Sequence, residues 1–176
     1  MVALWVGTRS AFRFSRPPTI QTTKNSIVMT KKNNTPQGEL SYYGLSLLSY
    51  LKDCHPDRVG DAAFIAERAD RAAEVYSDTI KAGHTHIEAE ERASAELYRG
   101  LHFSPYNTLV NILWDEFSSE IPEDNARTVA LEALPLCANV LAKYDLTDDF
   151  ADNPLHDRLY TELVGTIQIL LDDGSL

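Results

Sequence analysis

The sequence predicts an all-α protein, a single-domain helical bundle or orthogonal helical array of about six helices with one kinked or split at Pro135. Two observations carry this. Beyond Pro36, apolar residues recur with a 3.6-residue period in almost every segment. The segment ends also carry helix punctuation: hydroxyl or amide caps, proline at first positions and glycine past last ones.

The elements follow in order. In GELSYYGLSLLSYLKDC, Leu40, Tyr43, Leu47, Leu48 and Leu51 form one apolar stripe, broken at Pro56. The next segment, DAAFIAERADRAAEVYSDTIKAG, places Ile65, Ala69, Ala72, Tyr76 and Ile80 inward. Its alanines predict close approach to a neighbouring helix, and Glu67 and Arg71 are spaced to pair on the outer face. Gly83 ends it. A third helix opens at Thr85 with Glu88 completing a T-x-x-E capping box, and Gly100 closes it. Ser104-Pro105 starts a fourth, whose stripe is Tyr106, Leu109, Val110, Leu113 and Phe117. Pro122 begins a fifth, with Ala130, Leu134, Cys137, Leu141 and Tyr144 inward and Pro135 inside it. Asn153-Pro154 caps the last, lined by Leu155, Leu159, Leu163, Ile167 and Leu170. Short connections imply that consecutive helices are antiparallel neighbours.

Charge divides the chain unevenly. Residues Met1 to Gln37 hold six basic and no acidic side chains, so the remainder carries ten basic and 26 acidic ones, a net of −16. So acidic a body repels phosphate backbones, which makes duplex nucleic acid an unlikely partner, and no segment has a basic recognition helix. A basic protein is the electrostatically favoured partner. No apolar run reaches the roughly 18 residues of a membrane span. Cys54 and Cys137 match no metal spacing and read as reduced thiols of a cytoplasmic protein.

The chain divides into a basic, disordered segment 1–37, a helical domain 38–173 and a tail 174–176. The first 28 residues contain Arg and Ser and no acid, a composition that suits a mitochondrial presequence. Met29, however, begins a polar lead-in directly before the first helix, and it is the expected start.

Three constellations could carry chemistry. In GHTHIEAEERA, His84, His86, Glu88, Glu90 and Glu91 crowd together, but capping and solvated charge explain them better than metal binding. In DLTDDFADNPLHD, Asp145, Thr147 and Asp149 imitate a calcium loop. Phe150 stands where that loop needs glycine, and His156 where it needs glutamate. His102 with Asp115 and Glu116 could serve acid–base chemistry, yet the two carboxylates point away from the apolar stripe. No cofactor, metal or catalytic residue is assigned. A metal-dependent or acid–base enzyme using His86, His102 and nearby carboxylates is the alternative. Phe103, Ile112 and Trp114 lie off the Tyr106–Phe117 stripe, which means either a central, surrounded helix or a contact with another chain, including a second copy. The central helix is the favoured reading, and these three residues are the candidate interface if the contact exists.

The runs LSYYGLSLLSYLKDCHPD and AGHTHIEAEERASAELYRGLHFSPYNTLVNILWDEF resemble an uncharacterised domain-of-unknown-function family of Bacteroidetes bacteria, often encoded near mobile elements. The resemblance spans about Leu40 to Leu171. It implies an all-helical domain in a bacterial cytoplasm and supplies no catalytic residues. The function expected is a non-enzymatic interaction or accessory protein; an acidic DNA mimic is a sharper variant.

Overall fold

The computed structural model describes residues 40–176, which fold as seven α-helices with no strand among the described residues. The basic segment 1–37 and the Met29 start lie outside them. The helices are α1 (Tyr42–Cys54), α2 (Ala62–Lys81), α3 (His86–Leu97), α4 (Pro105–Glu116), α5 (Glu123–Leu136), α6 (Ala138–Leu141) and α7 (His156–Asp172). Short 3₁₀ turns cover Pro56–Arg58 and Phe150–Asp152.

Two cores organise them. Leu47, Leu51, Ile65, Ala72, Ala93 and Leu97 join α1, α2 and α3, with Leu101 from the following loop. The alanines Ala69, Ala72, Ala89 and Ala93 are all buried, and small side chains let α2 and α3 run close together. The second core gathers α4, α5 and α7 around Leu109, Leu113, Ala130, Leu159, Leu163 and Ile167. Each fully buried Leu or Ile contributes about 1.5–3 kcal/mol relative to an exposed one.

The punctuation acts as the sequence predicts. Thr85 Oγ1 accepts from the Glu88 N–H while the Glu88 carboxylate accepts from the Thr85 N–H at 2.8 Å. Ser104 Oγ accepts from the Asn107 N–H at 3.0 Å, with Pro105 as the first helical residue. At Gly83 (φ 88°) the N–H groups of Gly83 and His84 return to the carbonyls of Ile80 and Thr79, so the chain turns left-handed at no steric cost. Gly174 does the same at the other end of the chain. Ser175 N–H reaches Leu170 O at 2.8 Å, and Leu176 packs against the second core.

Three boundaries or pairings differ from the sequence reading. The split falls at Cys137, two residues past Pro135. Proline has a helical φ and removes only the bond to Leu131, so α5 runs through it before the loosened turn ends. The last helix is regular only from His156. Asn153 Oδ1 accepts from the Leu155 N–H instead, and Leu155, ahead of the helix, is left exposed. Arg71 pairs with Glu96 of α3 at 3.8 Å instead of with Glu67, because the buried carboxylate of Glu96 is the stronger attractor.

Candidate functional site

The loop from Tyr98 to Ser104, between the two cores, is held from several directions. Gly100 has φ 74°, and its turn directs two N–H groups at one carboxylate. Asp148 Oδ2 accepts from Gly100 N–H at 2.8 Å, and its Oδ1 from His102 N–H at 2.9 Å. The His102 imidazole adds Nδ1 at 3.1 Å from Oδ1. Partial burial pushes the Asp148 carboxyl up, but the two N–H donors and the His102 ring outweigh it, so its pKa lies below the usual carboxylate range. Leu101 faces the other way. Its carbonyl accepts from Tyr50 Oη and from His55 Nε2, each at 2.8 Å. Burial and its surroundings raise the Tyr50 phenol. Ser104 completes the clasp by donating its hydroxyl to the Cys54 carbonyl at the end of α1.

Beside this loop opens a cleft of about 690 Å³. One wall is His55, Asp57 and Arg58; the facing wall is Leu131, Leu134, Pro135 and Leu141 from α5 and α6, with Phe103 and Tyr106 from the loop and α4. The sequence offered no signal for it, because its walls are some 75 residues apart in the chain. Arg58 lies over the Phe64 ring, 4.0 Å from its centroid, and Arg68 lies 5.1 Å from the same centroid. Arg68 also donates to the carbonyls of Glu96 and Arg99 at the end of α3, and Arg99 joins Arg71 on the Glu96 carboxylate.

The residues singled out from the sequence are separated and individually engaged. His86 Nδ1 meets Tyr76 Oη at 2.8 Å, with the rings stacked. His84 Nδ1 lies 3.6 Å from Glu88, which caps α3, while Glu90 accepts from Tyr43 Oη. Among the described residues no three His, Cys, Asp or Glu are arranged to hold a metal ion. In the calcium-like segment Phe150 is a core residue and Thr147 bonds Asp149 at 2.7 Å, so the chain there turns around an apolar anchor. His102 precedes α4, whereas Asp115 and Glu116 close it. Twelve helical residues, about 18 Å, keep them apart, and Glu116 accepts from Tyr160 Oη instead.

Phe103 and Ile112 are 8% and 0% exposed, inside the second core, and therefore offer no surface to another chain. This makes α4 the central helix. Trp114 is half-buried; its Nε1 donates to Glu123 O at 3.4 Å and Arg127 sits 5.9 Å from its ring, so it fastens α4 to the start of α5. Cys137 is fully buried, and burial raises its thiol to about 11. Sequence reasoning missed Asp148, a loop acid no periodicity marks, and His55, which looked like the end of a helix.

No helix of the described residues is long and apolar enough to cross a membrane. A search of curated proteins gives no match. Among solved structures the chain is similar to the crystal structure of protein PG0816 from Porphyromonas gingivalis. The two are 42% identical over 76% of this chain and 91% of that one, with a TM-score of 0.72. Residues 35–176 match the family described as "Domain of unknown function (DUF1896)". A match over most of the chain, with the same helical architecture in a 42%-identical relative, places this protein in the DUF1896 family.

Proposed function

We propose that this protein is a non-enzymatic interaction module of the bacterial cytoplasm whose acidic surface engages a basic protein partner. The observation that supports this is how the cations are spent. Of the ten Lys and Arg between residues 40 and 176, Arg71, Lys81, Arg99, Lys143 and Arg158 form ion pairs within the domain. Arg68 holds backbone carbonyls, and Arg58 and Arg127 lie over aromatic rings. These pairings satisfy only three of the 25 carboxylates, Asp78, Glu96 and Glu162. The other 22 have no Lys or Arg partner among the described residues. Such a surface raises the encounter rate with a cationic partner and repels nucleic acid. The resemblance to bacterial proteins encoded near mobile elements supports an accessory role in such an element.

Pull-down of the full chain from its native host extract at two salt concentrations, read by mass spectrometry, tests this. A basic protein recovered at low salt and shed at high salt is the expected result, since surface charge pairs are screened. A complex indifferent to salt, or recovery of the bait alone, overturns it. If the captured partner binds DNA and duplex DNA displaces it, the acidic surface acts as a DNA mimic.

A further inference from the structure

The cleft beside the Tyr98–Ser104 loop is separate from the charge-driven surface. Its 690 Å³ falls within the roughly 300–1,000 Å³ of small-molecule sites. Its two walls differ in chemistry. Leu131, Leu134, Pro135 and Leu141 make one apolar, and the Pro56–Arg58 turn with His55 makes the other polar.

Two groups on the polar wall keep unused bonding capacity. Arg58 stacks on Phe64 and takes part in no ion pair among the described residues. A guanidinium lying over a ring leaves donors available for a carboxylate. His55 is only 5% exposed. Since a carbonyl can only accept, its Nε2 carries the proton given to Leu101, and in the neutral imidazole Nδ1 is left as a lone-pair acceptor. Among the described residues Nδ1 has no protein donor, yet it is not sealed away; the enclosed side-chain atom without a partner among them is Tyr144 Oη. A nearly buried acceptor on a residue that lines an open cleft is where a ligand donor gains most.

Among the described residues Arg58 is the one Lys or Arg lining the cleft, and Arg68 lies behind it against the same Phe64 ring. Asp57, exposed on the same wall, opposes a doubly charged head and limits the fit to a single charge.

We infer that the cleft binds an amphipathic monocarboxylate. Its apolar chain or ring lies against α5 and α6, its carboxylate pairs with Arg58, and a hydroxyl or N–H beside the carboxylate donates to His55 Nδ1. The chemistry is that of an apolar hydroxy acid or N-acyl acid.

Isothermal titration calorimetry of the full chain at physiological salt tests this with four probes sharing one tail: α-hydroxydecanoate, decanoate, decanol and decyltrimethylammonium. The expected order is α-hydroxydecanoate tightest, by about threefold or more over decanoate, with the cation weakest. That last rank is stringent, because an acidic domain attracts cations non-specifically. Arg58→Gln weakens both carboxylates about tenfold and leaves decanol unchanged. Leu131→Gln, at an exposed position on the apolar wall, weakens all of them. No saturable binding in the millimolar range overturns the inference. So does a cation that binds as tightly as decanoate, or a carboxylate affinity indifferent to Arg58→Gln in a variant with wild-type circular dichroism. Should that variant unfold, the rank order on the wild type still decides.

Discussion

Asp148 is a side chain whose removal should loosen the join between the two cores. It receives two backbone N–H groups, from Gly100 and His102, one on each oxygen, and the His102 ring besides. Charge-assisted bonds of this kind are worth about 1.5–3 kcal/mol each when buried. The Asp148 side chain is 37% exposed, so solvent screening brings each nearer about 1 kcal/mol. Asp148→Ala should therefore cost about 2 kcal/mol, or roughly 6–10 °C in Tm for a domain of this size. Asn is not a conservative replacement. It keeps one acceptor oxygen but turns an NH₂ toward the second N–H, so Asp148→Asn should lose nearly as much. The effect must also depend on pH. The folded pKa is depressed, so the contribution is fully present above the ordinary value of 3.8 and disappears as pH falls through the lower folded value. Thermal unfolding of wild type and Asp148→Ala at neutral pH and in strong acid measures both. A Tm difference below about 1 °C at neutral pH, or one that persists undiminished in strong acid, would refute the reasoning.

Three further outcomes are expected. Ser104→Ala removes the cap of α4 and the donor to the Cys54 carbonyl together, so it should lower stability by about 1–3 kcal/mol, read from the urea midpoint. Leu163→Ala, at a position with no solvent exposure, should cost about 2–5 kcal/mol by leaving a cavity between α4, α5 and α7. A thiol reagent applied to the native protein should label Cys54, which is half-buried, and spare Cys137, whose burial holds its thiol near 11; release of both thiols before unfolding would contradict the packing of α5.

Local rules carried most of the fold. The Thr85–Glu88 box, Ser104-Pro105 and Gly83 each depend on neighbours within a few residues, so the sequence displays them in full. The stripe on α4 likewise reports burial, because a helix facing its core on several sides needs apolar residues beyond one face. That same rule explains Phe103 and Ile112, which look unpartnered until α5 and α7 are packed around them. What the sequence hid depends on distant partners. The spacing of Glu67 and Arg71 satisfies a helix-surface rule, but Glu96, 25 residues on, holds the arginine from within a less solvated site. Asp148 sits among three other acids of its loop and is distinguished only by the two amides that Gly100 turns toward it. The cleft had no linear trace at all, since His55 and Pro135 share no motif and meet only after both cores have formed.

The division of the two cores also bears on how the chain is made. The first is built from residues 47–101 and the second from residues 103–167, with no interleaving. Most helix pairings therefore join near neighbours in sequence, the arrangement that folds fastest. On a ribosome, α1, α2 and α3 can close around Leu101 before α5 has emerged, and the second core can then condense on a finished template. The latecomer is Asp148. Until that loop arrives, the amides of Gly100 and His102 have only water to bond, so the acid–amide clasp can form only after α6 has been made.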